Sequence, residues 1–261
     1  MIRISIHFGL GRSSGVAFAL YGFGLSSPDG NREENFRYGK LALLMQEKLG
    51  ASEYDCRVLT FVYVLLNHWR EPLQRSLAPL LLAHGKGMEK GDIDYAFQAA
   101  GAYLTLYWYS GRDLQFGVSE AKRFMAQMKD YKQDKALTIY IPLFQCMLNM
   151  TGKSGNALLL KGKAISDVEF EEKKFANTTL MSYQMQLAYY FGDMELAEKV
   201  SSKLQEVSKS FNAHYLFVAR LFFFGMISIR VAFDATGRKR RKQIGIAKKV
   251  IKDLEQWTKH G

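Results

Sequence analysis

The 261-residue chain carries 36 Lys and Arg against 25 Asp and Glu, a formal charge of +11, and 48 % of its residues are hydrophobic. That apolar fraction excludes a disordered tail, because burying it offsets the entropy of ordering the chain. Four prolines leave room for long helices, and two distant cysteines, Cys56 and Cys146, exclude a disulfide framework or a zinc site.

Residues 1–12 form a lead-in, in which 2–7 show the chain's only strand-like alternation. Arg3 and Arg12 precede the apolar run 16–25, a pattern that a secretory leader shares. Two glycines interrupt that run and its aromatics suit a packed helix, so a cytoplasmic protein is expected. Turn-forming residues then recur at Pro28-Asp29-Gly30, Glu71-Pro72, Ser110-Gly111, Thr151-Gly152, Gly192-Asp193 and Thr236-Gly237. Marked at 29, 71, 111, 152, 192 and 237, they are spaced 42, 40, 41, 40 and 45 residues apart. A period of about 41 residues belongs to repeats built from paired helices.

Between the marks, apolar residues step by three and four. Leu73, Leu77, Leu80, His84 and Met88 do so, as do Leu114, Val118, Ala121, Met125 and Met128. Leu180, Tyr183, Leu187 and Tyr190 follow the same spacing, and so do Ile244, Ala247, Ile251 and Leu254. This is the stripe of a helix with one buried face. A second set of turns falls at Gly50, Gly91-Asp92 and 131–134. The expected fold is therefore all-α, a right-handed α-solenoid of about six helical hairpins resembling tetratricopeptide (TPR) repeats. The hairpins fall at roughly 13–50, 51–91, 92–131, 134–166, 174–209 and 212–258, within one repeat domain over 13–261.

One unit breaks the pattern. The second helix expected near 157–165 is short, and a charged connection over 166–175 follows, so 152–175 is expected to be a distorted repeat or a mobile loop. The greasiest stretch, 221–229, is bracketed by Arg220 and Arg230. It falls well short of the roughly 20 apolar residues a bilayer requires, so no membrane span is expected. Aromatics concentrate in the first helix of each pair, and glycines inside helices, such as Gly22, Gly39 and Gly101, suit close approach of neighbouring backbones.

Motifs for chemistry are absent or incomplete. Thr151-Gly152-Lys153-Ser154 holds the core of a phosphate-binding loop, but the glycine required five positions earlier is Met147. Gly9, Gly11 and Gly15 miss the dinucleotide spacing by one residue. The five histidines show no metal-ligand spacing, and His84 falls on an apolar stripe, where a hydrogen-bonded core histidine is expected. No catalytic residue, metal or cofactor is assigned. Candidates for a partner-binding inner wall are Tyr63, Asn67, Tyr103, Tyr107 and Tyr140. From Arg230 to Gly261 the net charge is +7, centred on Arg238, Lys239, Arg240, Arg241 and Lys242. That run suits nucleic acid or another anionic surface, although a solvated turn entering a helix is favoured over either.

Several word-like stretches carry a resemblance. They are Ala17-Phe18-Ala19-Leu20-Tyr21-Gly22, Tyr38-Gly39-Lys40-Leu41-Ala42-Leu43, Asn67-His68-Trp69-Arg70-Glu71-Pro72-Leu73, Gly91-Asp92-Ile93-Asp94-Tyr95-Ala96 and Tyr109-Ser110-Gly111-Arg112-Asp113-Leu114. Over about residues 13 to 257, ending near Trp257, the chain resembles the TPR-like helical region of large multidomain signalling proteins. In these proteins a serine/threonine kinase and an AAA/STAND ATPase precede that region, and a GAF sensor and a histidine kinase follow it. The resemblance implies a scaffold or sensor arm that meets protein partners or linked ATPase and kinase domains. It transfers no catalytic residue, since the family's chemistry lies outside the matched stretch, and it implies that the chain is a module of something larger.

Overall fold

The computed structural model describes residues 2–25, 30–160, 162, 174–207 and 214–259. All regular structure among them is helical, without a strand. The alternation over 2–7 is not a strand: it lies in α1 (Ile2–Phe8). There follow α2 (Ser14–Gly24), α3 (Arg32–Leu49), α4 (Asp55–Phe61), α5 (Gln74–Lys90), α6 (Ile93–Tyr109), α7 (Leu114–Asp130) and α8 (Asp134–Met150). The remainder are α9 (Lys174–Tyr190), α10 (Met194–Val207), α11 (Tyr215–Asp234) and α12 (Gly237–Lys259). After α4 the chain widens into a π-helical turn, Val62–Leu66, and then tightens into a 3-10 turn, Asn67–Trp69.

Local chemistry sets the helix ends. Asn31 accepts a hydrogen bond from the Glu34 amide at the start of α3, and Asp113 accepts from the amides of Gln115 and Phe116 at the start of α7. Asp193 accepts from the Leu196 amide at α10. Each of these caps satisfies an amide that the first helical turn leaves open, an interaction of about 1 kcal/mol. Chain reversal is made by residues in the left-handed region. Gly50, Gly91 and Lys132 form one series, spaced 41 and 41; Gly111, Gly152, Gly192 and Gly237 form another, spaced 41, 40 and 45. Lys132 is the one side chain placed there among the described residues, an uncommon conformation that glycine adopts without steric cost.

The chain divides into two compact units. The first comprises Met1–Arg112 with Phe211–Tyr215 and Gln256–Gly261, and the second Asp113–Ser210 with Leu216–Glu255. In the first unit α2 packs on α3 and α5 on α6, while α2 touches α4 and α4 touches α6. α6 is apolar over most of its surface, and its residues from Ala96 to Tyr107 are buried apart from Gln98. Two glycines permit the tightest approaches: a Cβ on Gly22 would lie 2.9 Å from Tyr38 Cβ, and one on Gly87 would lie 2.7 Å from Cys56 Sγ and 2.8 Å from Ala96 Cβ.

In the second unit α7 packs on α8, α8 on α9 and α9 on α10. Met185, Leu204, Phe223, Ile227 and Val250 share one core. No helix occupies 152–160; the part of the expected 157–165 helix that is described is irregular, and residues 163–173 lie outside the described set. Side-chain amides replace the helical hydrogen bonds there. Asn149 Nδ2 donates to the carbonyls of Ala157 and Leu159, and Gln184 donates to that of Leu158 and accepts from the Leu160 amide.

α11 has a mean hydropathy of 1.9 over its greasiest window and enough length to cross a bilayer, more than the run 221–229 alone reveals. Within the protein 56 % of that window is buried. Arg220 is buried in it and donates from Nε to Ser182 Oγ at 2.5 Å. An arginine tied into a protein core favours packing against protein over lipid.

Two glycines in α5 test this packing. Gly87→Ala should lower stability by about 1–3 kcal/mol, because the added methyl has no room. Gly85→Ala meets nothing within 4 Å and should raise stability by about 0.5–1 kcal/mol through helix propensity. Urea titrations of both variants would measure the contrast.

Candidate interaction site

The five residues expected to line an inner wall differ in what they offer. Tyr103 and Tyr107, 3 % and 5 % exposed, lie in the core of the first unit with ring centroids 5.7 Å apart. Asn67 is buried as well and donates to Ser76 Oγ at 3.0 Å, pinning the 3-10 turn to α5. All three are buried and so leave little side-chain surface for a partner. Tyr63 and Tyr140 are half-buried. Desolvation raises the Tyr63 phenol above its ordinary value, with Glu71 adding to the effect, and pushes Tyr140 up to about 12. Both are neutral hydrogen-bonding phenols at physiological pH.

An arginine at the first position of α3 organises a cluster that helical periodicity does not point to. Arg32 is 1 % exposed, and its guanidinium lies 4.2 Å from the ring centroid of Trp69 and 5.9 Å from that of Trp257. The two indoles meet edge to face at 5.8 Å. His68 stacks beside Trp69 at 4.8 Å and edge-on to Tyr215 at 5.7 Å; Tyr215 in turn lies 5.3 Å from Tyr109. Next to Arg32, Glu33 pairs with Arg70. A flat, delocalised cation stacks on aromatic faces as an ammonium cannot, and desolvation strengthens that attraction. The cluster joins segments that are remote in sequence, whereas in a linear repeat stack each hairpin touches only its neighbours.

A cleft of about 350 Å³ lies between α3, α4 and α5. Its polar groups bond one another: Lys86 Nζ lies 2.6 Å from Asp55 Oδ2, and Gln46 donates to Asp55 Oδ1 at 2.9 Å and to the Ala51 carbonyl. Gly152-Lys153-Ser154 follows helix α8, not a strand, and Lys153 Nζ donates to Gln115 Oε1 at 2.6 Å. His84 sits in the core with Nδ1 3.0 Å from the Ala96 carbonyl. Among the described residues no three His, Cys, Asp or Glu side chains group as a metal site. Both cysteines are free and buried; burial pushes the Cys56 thiol up to about 12, Asp92 adding to it, and raises Cys146 further.

Arg238, Lys239, Arg240, Arg241 and Lys242 form the exposed first turns of α12. Lys239 Nζ pairs with Glu198 of α10 at 2.7 Å, and Gln243 donates to the same carboxylate at 3.0 Å. The others of the run project outward. In comparisons with known proteins, no family model, curated protein or solved structure matches the chain.

Arg32→Ala should cost about 3–5 kcal/mol, by emptying a buried space between two indoles. Arg32→Lys should recover only part of that, and tryptophan emission should shift to the red in both as Trp69 and Trp257 meet water. The thiols should resist iodoacetamide near pH 8 in the folded protein and react once it is unfolded. Because burial favours the neutral thiol, stability should decline as pH rises above the ordinary cysteine range, where only the unfolded chain ionises.

Proposed function

We propose that the chain is a non-catalytic helical-repeat module, TPR-like and solenoidal in its hairpin stacking. It serves as a cytoplasmic scaffold in signal transduction, for protein partners or for ATPase and kinase domains linked to it. The observation that carries this reading is the pair of interleaved left-handed series, 50, 91 and 132 against 111, 152 and 192, which gives the same helix–turn–helix length over successive stretches of chain. The succession α2 to α4 to α6, each touching the next, supports it as well, since stacked hairpins bring alternate helices together. The family words, which span the same stretch, connect the repeat to signalling proteins. The Trp257 contact with Trp69 qualifies the linear picture, because the sixth hairpin ends against the second.

Of the candidate wall residues, Tyr63 and Tyr140 keep surface for contact while their rings stay anchored. Large, rigid side chains with a polar tip suit protein recognition. Cross-linking with mass spectrometry on the full chain in its native cell extract should recover an ATPase or kinase polypeptide. Tyr63→Phe combined with Tyr140→Phe, which keeps the packed rings and removes only the hydroxyls, should weaken that association by about fivefold or more, with little change in thermal midpoint. Recovery of no such polypeptide, undiminished capture by the double variant, or ATP turnover by the purified chain would each count against this reading.

A further inference from the structure

Two features of the second unit that the scaffold reading leaves unused meet at one hairpin tip. The outer face of α11 presents an apolar stripe to solvent: Phe222, Ile229 and Phe233 fall seven and four residues apart, on one helical face, and are 49 %, 37 % and 74 % exposed. Phe233 stands on the last turn before the chain reverses through Gly237, which takes a left-handed φ of 55°. Immediately beyond come the cations of α12. Lys239 is tied to Glu198, and on α11 Arg230 is tied to Asp234 at 3.0 Å. Arg238, Arg240, Arg241 and Lys242 have no carboxylate partner among the described residues.

This arrangement is unfavourable in isolation. Four cations without carboxylate partners repel one another and stand at the positive end of the α12 dipole, while an exposed phenyl ring orders water around it. A single kind of surface relieves both: one with a dense layer of negative charge above an apolar interior. Nucleic acid would satisfy the cations but offers nothing to the aliphatic Ile229, and a neutral apolar groove would satisfy the stripe but not the charge. We propose that the α11–α12 tip docks on the face of an anionic lipid bilayer. Phe233 and Ile229 enter the boundary below the headgroups, and Arg238, Arg240, Arg241 and Lys242 hold headgroup phosphates and carboxylates. The docking is peripheral, since the opposite face of α11 stays in the protein core through Phe223, Phe224 and Ile227. It is independent of the scaffold reading and would place a partner-binding module at a membrane surface.

The full chain should cosediment with phosphatidylcholine vesicles containing roughly one-third phosphatidylserine, and hardly with phosphatidylcholine alone. Replacing the four cations together (Arg238→Gln, Arg240→Gln, Arg241→Gln, Lys242→Gln) should weaken that binding by roughly a hundredfold or more, since each cation near such a surface contributes several-fold. Phe233→Ser should weaken it by about tenfold at an unchanged thermal midpoint, because the ring has no core to leave. No binding to the anionic vesicles, equal binding to both lipid compositions, or full binding by Phe233→Ser would overturn the proposal. Tighter binding to a duplex oligonucleotide that ignores Phe233 would overturn it too, and would assign the cations to nucleic acid.

Discussion

A helix of 17 residues with one apolar face cannot bury that face by itself, so the chain must be turned back at each end at a fixed distance. In this protein much of the turning is done by single residues in the left-handed region, and α6, α7 and α8 each run to 17 residues between two such points. Aspartates follow closely, with Asp113 and Asp193 capping the next helix. Stop and start are thus encoded within two or three residues of each other. Everything downstream, including the contact of alternate helices and the largely buried α6, depends on this spacing of reversals.

Where the spacing fails, the protein compensates with polar side chains. α8 is followed by no helix over 152–160, yet α8 and α9 still pack directly. Backbone groups that a helix would have bonded internally are met by Asn149 and Gln184. Buried carbonyls left without donors would each cost on the order of 1–3 kcal/mol, so these two amides stand in for an entire turn of helix.

Much of the architecture can be read in the residues themselves, because stripes at three and four and turns at about 41 are local signals. The helical character of the regular structure among the described residues beyond the first eight, the reversals at Gly111, Gly152, Gly192 and Gly237, and the core position of His84 all follow from spacing and residue type. What spacing cannot show is which distant elements meet. Arg32 reads as an ordinary charged residue in a first turn, and only the convergence of Trp69 and Trp257 makes it buried. Tyr103 and Tyr107 look like wall residues because aromatics suit walls, but both rings are packed in the core of the first unit, and that depends on their neighbours. The run 221–229 reads as one apolar stretch, and only the fold separates the buried Phe223, Phe224 and Ile227 from the exposed Phe222, Ile229 and Phe233. Residues 2–7 misled for a simpler reason, since six residues are too few for alternation and helical periodicity to be told apart.

The indole of Trp257 sits in the first unit although the whole second unit precedes it in the chain. During synthesis, α2 to α6 therefore emerge and pair while the ring that closes over Arg32 has yet to be made. Before then Arg32 has Trp69 to stack on but not Trp257. The packing around the start of α3 is thereby finished only when the end of α12 arrives.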